Sequence, residues 1–272
     1  MRERSGDFSD STLAGRLGVI GLDTLVLAPA EISGINISDL SDEAAVRFVA
    51  IPQLAAGREN SANFVEFGQL HISDDLRNPI SELVAVKPLP RARAVREFKA
   101  AQAINSRFGD RVSFRQIGFM KDTNLNRDHI DHITRYEHDV VSLDNVLWDK
   151  QSTSAQREHA MGLAGLWLAS LHNHGVAHGD AQAKNIAFDS SGKPRFIDLD
   201  GASDLNDQEL SPHTKRLLDV SDLFNPVYLK SADTDEQLSF IESYLEHQTM
   251  RQKLDGGDIQ EAISSARESS SY

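Results

Sequence analysis

Between Leu171 and Asp198 the chain reads Leu171-His172-x-x-Gly175-x-x-His178-Gly179-Asp180-x4-Asn185, followed by Phe196-Ile197-Asp198. Two carboxylates and a carboxamide stand close together there. A carboxylate beside a hydroxyl can orient it and take its proton, whereas carboxylate and amide oxygens are the hard donors that magnesium prefers. An Asp-x4-Asn alone arises by chance about once in every chain or two of this length. Adding Leu-His, Gly and His-Gly at their fixed offsets lowers that to roughly below one in a thousand. The pattern marks a site. Cysteine is absent, which excludes disulfides, thiolate metal sites, iron–sulfur clusters and cysteine nucleophiles.

The surrounding elements have to aim these residues. Residues 1–45 read as an extension without clear elements, with LDTLVLAPAEI as a strand or short helix. From Val46 the runs VRFVAIPQL, NFVEFGQLHI and ELVAVKPL are rich in β-branched and aromatic residues and are separated by turn-like stretches. They predict three strands in a meander, with Pro88 and Pro90 stopping the third. ARAVREFKAAQAINSRFG places Ala94, Val95, Phe98, Ala101 and Ile104 near helical spacing. VSFRQIGFM and DHITRYEH predict two more strands. Beyond His138 the pattern turns helical: Ser142 is placed to cap LDNVLW, and a helix is expected from Ala155 to Asn173 with Gly175 as its stop signal. A loop with two short strands around Ser-Ser-Gly-Lys follows. The remainder reads as helical and acidic, ending in a frayed SSARESSSY tail. The expected fold class is α+β, a strand-rich part over 46–138 and a helical part over 139–272.

Composition narrows the partners. The 272 residues are 40% hydrophobic and 25% charged, which describes a globular protein with a sizeable core. The formal net charge of −13 argues against nucleic acid and anionic membrane surfaces as partners. No apolar run approaches the ~20 residues of a membrane-spanning helix, and MRERSGDFSDST lacks the apolar core of a signal peptide. The expected location is the cytoplasm.

The His178-Gly179-Asp180-x4-Asn185 motif with Asp198 after it resembles the protein-kinase-like superfamily, in particular the small-molecule branch typified by aminoglycoside phosphotransferases. The resemblance covers about residues 46–225. It implies a two-lobed fold, with a strand-rich N-lobe carrying one main helix and a mostly helical C-lobe. ATP and Mg2+ are the implied cofactors. Asp180 then takes the place of the carboxylate that orients the acceptor hydroxyl, and Asn185 and Asp198 those of the magnesium ligands. Lys87, ending VAVK, matches the lysine on the α- and β-phosphates, and Glu97 on the next helix its ion-pair partner. ITRYEHDVV resembles the hinge, which would bring the backbone of Tyr136, Glu137 and His138 beside adenine. AAGRENSANF stands where the phosphate-covering loop belongs, with Gly57 its only glycine and the backbone near Asn60 and Ser61 as the candidate cradle.

Departures from the family pattern bear on the acceptor. Gly179 stands where regulated protein kinases carry Arg, Leu199-Asp200-Gly201 follows Asp198 in place of Phe-Gly, and no Ala-Pro-Glu follows. Gln182 replaces the Lys of protein kinases and the His of the small-molecule branch. The implied function is transfer of the γ-phosphoryl group of ATP to a hydroxyl of a small molecule. A cationic acceptor is favoured by the acidic chain, and the oligomeric state is unknown. The competing functions are an atypical protein Ser/Thr kinase, a pseudokinase-like nucleotide-binding regulator, and an enzyme that moves AMP.

Other polar clusters have plainer readings. Asp128, His129, Asp131 and His132 look like metal ligands, but strand alternation separates His129 and Asp131 from His132, so a turn and solvated strand edge are expected. His172 and His178 are read as packing residues, His178 also bonding backbone near Asp198. Asp200 is either a cap or a further magnesium ligand. Asp219 and Asp222 either bond the catalytic-loop backbone, as helix aspartates do in this superfamily, or are exposed. Arg91, Arg93, Arg96 and Lys99 read as a solvated helix face, as does Lys184 as a solvated lysine.

Overall fold

The computed structural model describes residues 31–32, 35–36, 45–50, 65–73, 80–108, 112–114, 116–120, 129–207, 209–226, 229, 233–250 and 253–269. The chain divides into two compact units, Met1–Phe98 with Phe114–Glu137, and Lys99–Ser113 with His138–Tyr272. The expected phosphate-covering turn, with Gly57, Asn60 and Ser61, lies outside the described residues. So do Asp128, the final three residues and most of the N-terminal extension.

The first unit is built on an antiparallel sheet. A two-stranded ribbon pairs β1 (Glu31–Ile32) with β2 (Ile35–Asn36). The main sheet has the order β3-β4-β5-β7-β6, from β3 (Ala45–Ala50), β4 (Glu66–Ser73), β5 (Ile80–Pro90), β6 (Gln116–Met120) and β7 (His129–Arg135). Alternation along β5 buries Val84 and Val86, and Ile133 of β7 joins them in the core. Helix α1 (Arg91–Phe108) follows β5 directly and buries Ala94 and Phe98, while its solvent face carries exposed Arg91, Arg96 and Lys99.

Two expectations are corrected here. Pro88 and Pro90 do not stop the third strand; both lie within β5, opposite Asp131 and His129 of β7. β4 pairs with β5 only as far as Val86, so beyond that point a ladder on the β4 side is not interrupted by a missing N–H. The second correction concerns β7. It pairs with β5 on one side and β6 on the other, so it is no strand edge, and His132 is buried with its ring edge against Phe98.

The second unit is mostly helical. Its helices are α2 (Leu143–Trp148), α3 (Ser154–Asn173), α4 (Pro212–Leu223), α5 (Thr234–His247) and α6 (Gly256–Ser269). The last of these takes in Ser264–Ser269, so most of the expected frayed tail is helix. Between α3 and α4 run four short strands, β9 (Val176–Ala177), β10 (Ile186–Phe188), β11 (Pro194–Phe196) and β12 (Ser203–Asp204), and β8 (Val141–Ser142) precedes α2. β10 is paired by β11 and β8, and β9 by β12. Ser142 stands at the N-cap of α2 as expected, but its Oγ bonds Asp144 Oδ1 instead of a helix N–H. Thr153 and Gln156 cap α3 reciprocally, each side chain taking the other's backbone N–H.

The α3–α5 pair organises this unit. Arg157 Nε reaches Glu236 at 2.6 Å, Ser239 Oγ donates to the Glu158 carbonyl, and Asn173 bonds the His247 carbonyl at the far end. Gly165 sets the approach, because a Cβ there would lie 2.4 Å from the Phe240 carbonyl oxygen. Side-chain size at the crossing controls interaxial distance. Gly165→Ala is therefore expected to destabilise the protein by about 1–3 kcal/mol, the usual cost of overpacking. Gly162→Ala meets only the Ser239 hydroxyl and should be near neutral, its gain in helix propensity offsetting a shifted serine. Urea titration of both variants checks the contrast, and equal stabilities would show that the crossing can widen.

Candidate active site

The loop from His178 to Asn185 is held from three directions. Its N-terminal side leaves β9, which pairs with β12 through Ala177 and Ser203. Its C-terminal side closes as a 3-10 turn at Ala183–Asn185 and passes into β10. Beneath it lies α4. Asp219 on that helix is fully buried and accepts the N–H of His178 at 2.7 Å and the N–H of Gly179 at 2.8 Å. Of the two readings for Asp219, the backbone-bonding one is observed. Burial by itself would raise the Asp219 carboxyl. The hydrogen bonds from the His172 ring and from the His178 N–H outweigh that and hold it below the ordinary carboxylate range.

Gly179 has φ +77°, and a Cβ on it would stand 2.1 Å from the carbonyl oxygen of Gly201. Only glycine allows this close passage of two backbones. It brings the loop against the turn that follows Asp198. Asp198 itself has φ 59° and ψ 53°, the one non-glycine positive φ among the described residues. A left-handed aspartate is tolerable but uncommon, and such conformations concentrate at functional positions.

The β10–β11 hairpin aligns the remaining polar groups. Ile186 pairs with Phe196, and the N–H of Ile197 donates to the Asn185 carbonyl at 2.9 Å, so Asn185 and Asp198 flank the same end of the hairpin. Asn185 Nδ2 donates to the Asp180 carbonyl and to Asp180 Oδ2, both at 3.0 Å. With the amide nitrogen committed to Asp180, Oδ1 is the Asn185 atom left to act as a hard donor. Lys184 is exposed in the 3-10 turn, and Asp200 sits in a second such turn, Leu199–Gly201.

Two neighbours of Asp180 depart from expectation. His178 is fully buried with its ring edge against Phe196, and neither ring nitrogen has a hydrogen-bond partner. The expected bond from its ring to backbone near Asp198 is not made. Burial pushes its pKa below the ordinary histidine value, against the pull of Asp219, Asp180 and Asp198. Asp222, one turn beyond Asp219 on α4, is half-buried and pushed up to about 6, first by burial and then by the charges of Asp219 and Asp180.

In the first unit Lys87 Nζ lies 3.6 Å from Glu97 Oε2, and His132 Nδ1 lies 3.8 Å from the same oxygen. The pairing is made by strand β5 and helix α1 meeting at Pro90–Arg91. The Tyr136 N–H donates to the Leu83 carbonyl, and its ring meets Phe67 edge-on. The chain passes from the first unit to the second between Glu137 and His138. Tyr244 escaped the sequence reading altogether. It reaches His172, and through it Asp219, from 72 residues away in the chain, and no local pattern announces that contact.

The family model for the lipopolysaccharide kinase (Kdo/WaaP) family matches residues 61–215. That span carries Lys87, Glu97, Asp180, Asn185 and Asp198. The chain belongs to this family. It is a kinase, a phosphotransferase acting on a hydroxyl group, within the protein-kinase-like superfamily. No curated protein matches the chain. For a lipopolysaccharide kinase family member the polar chemistry is oxygen-based. Among the described residues no group of three or more His, Asp or Glu could hold a metal by itself.

The unpartnered His178 ring has a consequence for acid stability. Its pKa is lower folded than unfolded, so the unfolded chain takes up a proton near pH 6.5 while the native one resists it. Its contribution is present above about pH 6.5 and is lost as the pH falls below it. Asp222 has the opposite sign, since its raised value favours the native state below about pH 4 and that contribution is gone once the pH has risen through about 6. His178→Phe removes only the first. It should be at least as stable as the wild type at pH 7, because two orphaned nitrogens disappear, and its advantage should widen between pH 6.5 and 5. Urea denaturation at four pH values measures this; a constant difference would show that His178 protonates freely in the fold.

Proposed function

We propose that this kinase transfers the γ-phosphoryl group of ATP, with magnesium, to a sugar hydroxyl on a lipopolysaccharide-like acceptor. The observation that carries the reading is the Asp180–Asn185 arrangement on a loop clamped by Asp219, with Asp198 at the neighbouring hairpin end. One amide orients Asp180 through two hydrogen bonds and turns its own oxygen away as a hard donor.

In this mechanism Asp180 is the catalytic residue. Its carboxylate accepts a hydrogen bond from the acceptor hydroxyl, aligns it with the γ-phosphorus and takes its proton as the new P–O bond forms and the bond from that phosphorus to the departing ADP breaks. Asn185 and Asp198 would hold magnesium, which when bound neutralises the developing phosphate charge. Lys87, held by Glu97, neutralises the α- and β-phosphates, and the backbone of Tyr136, Glu137 and His138 receives adenine. The two-lobed arrangement of the superfamily belongs to the same proposal, as does a cytoplasmic location. No helix among the described residues is long and apolar enough to cross a membrane.

Gly179, Gln182 and the missing Ala-Pro-Glu segment favour a small carbohydrate acceptor over a protein. The net charge of −13 favours one that carries a cationic group, such as an aminosugar, and disfavours nucleic acid. The first test is magnesium-dependent ATP turnover with rough lipopolysaccharide and a panel of sugars and aminosugars, the products read by mass spectrometry. Labelling of casein in preference to every carbohydrate would replace this reading with a protein kinase.

Two substitutions separate the roles of the carboxylates. Asp180→Asn should lower turnover by about 10²–10⁴-fold and leave ATP affinity nearly intact, since the lost group acts on the acceptor proton. Asp198→Asn should weaken magnesium–ATP binding as well as turnover, because the charge opposite the cation is gone. Calorimetry with ATP, with and without magnesium, alongside single-turnover rates distinguishes them. Wild-type turnover in Asp180→Asn would reduce the motif to scaffold.

A further inference from the structure

A buried chain of hydrogen bonds runs from α5 to the loop that carries Asp180. The Tyr244 hydroxyl lies 2.6 Å from His172 Nδ1, and His172 Nε2 lies 2.9 Å from Asp219 Oδ2. Asp219 in turn receives the N–H groups of His178 and Gly179. Tyr244 and Asp219 are fully buried and His172 is 1% exposed, so water does not compete for the bonds among these three side chains. Tyr244 sits edge-on to His172, is stacked on Phe240, and Phe240 packs against Phe224 of the adjoining turn. The Tyr244 ring is thus held by two aromatic neighbours, the second of them backed by Phe224.

The proton positions follow from the partners. Asp219 is held ionised and can only accept, so the hydrogen between it and His172 belongs to Nε2. In the tautomer with the proton on Nε2, Nδ1 offers a lone pair, which the phenol O–H at 2.6 Å satisfies. Burial holds the Tyr244 phenol above its ordinary range, so it keeps that hydrogen to give. The charged groups around the chain agree. Arg216, fully buried on α4 with Nε on the Pro212 carbonyl, places positive charge near the phenol and favours its oxygen lone pairs on the arginine side. His178, on the far side of Asp219, is kept neutral by burial.

We propose that Tyr244 is a positioning residue for phosphoryl transfer: it holds His172 in the Nε2–H tautomer, which keeps Asp219 oriented on the His178 and Gly179 amides and so sets Asp180. The opposite tautomer would turn a bare Nε2 toward the Asp219 carboxylate, two acceptors at 2.9 Å. The carboxylate would rotate away and the loop amides would lose their partner. Helix α5 thereby acts on the catalytic loop through this chain. The kinetic part rests on the assignment of Asp180 above; the tautomer and the loop amides do not.

The experiment uses the full chain labelled with 15N-histidine, in wild type, Tyr244→Phe and the control Phe240→Leu. Long-range proton–nitrogen correlation in the wild type should show His172 protonated at Nε2 and bare at Nδ1. Tyr244→Phe should leave Nδ1 without its donor, let the His172 ring turn from Asp219 and speed amide exchange of His178 and Gly179 on the order of tenfold, the effect of one lost buried hydrogen bond. It should also lower kcat for magnesium–ATP transfer to lipopolysaccharide by about 10-fold or more, with KM for ATP unchanged. Phe240→Leu should lower overall stability and leave the tautomer and the split between kcat and KM as they are. A wild-type His172 protonated at Nδ1 overturns the proposal without any variant. So does a folded Tyr244→Phe with unchanged exchange or unchanged kcat. Absence of phosphoryl transfer in the wild type would remove the proposed function, and the tautomer and exchange results would still decide the role of Tyr244.

Discussion

One buried carboxylate supports the candidate site. A loop that turns through Gly179 at positive φ exposes N–H groups that neither a helix nor a sheet can satisfy, and burying them unpaired would cost more than the turn could sustain. Asp219 takes two of them. An ionised acceptor bonds backbone donors more strongly than a neutral one, so the loop is fixed by charge as well as by packing. The charge itself is tolerable inside the protein only because His172 adds a further donor. Remove any member and the others are left buried without compensation.

That arrangement explains where strain and unsatisfied groups collect. Asp198 is left-handed, the two His178 ring nitrogens are unpartnered, and Asp222 is pushed up to about 6 by burial and by its acidic neighbours. All three cluster around the Asp180 loop. Each carries a local cost and is kept by better-satisfied surroundings: the hairpin of β10 and β11, the α3–α5 crossing at Gly165, and the aromatic packing of Phe224, Phe240 and Tyr244. A stable frame holding an uncomfortable centre is the usual relation between scaffold and site.

The first unit contributes a different kind of constraint. Lys87 and Glu97 are ten positions apart, joined by a strand that runs straight into a helix. This tight corner is possible because β5 continues through Pro88 and Pro90, whose fixed φ suits extended backbone. The pair is only partly exposed to water and His132 crowds the same Glu97 oxygen. Lys87 is thereby held in one region of space instead of sampling many rotamers, which in the proposed function would reduce the entropy lost on binding a phosphate.

Much of the site was legible along the chain. The spacing from His178 to Asn185 and on to Asp198 is local chemistry on one loop and one hairpin, and local spacing survives folding. Lys87 and Glu97 could be paired from the sequence because only a strand end and about two helical turns separate them. Alternation and helical periodicity likewise exposed five strands and the main helices, since burial on one face leaves a mark on every second or every third to fourth residue. The sequence failed where the deciding partner was remote. Prolines that usually stop a strand remain in β5 because no β4 residue pairs beyond Val86, and His132 is buried with Phe98 and Glu97 of α1 against its ring. Asp219 could be read as solvated or as a clamp, and only the packing of α4 under the loop chose between them. His178 has no hydrogen-bond partner, and Tyr244 reaches His172, for the same reason: tertiary structure alone decides which atoms meet across long separations. Local preference specified the motif; the burial of remote side chains around it decided how the motif is held.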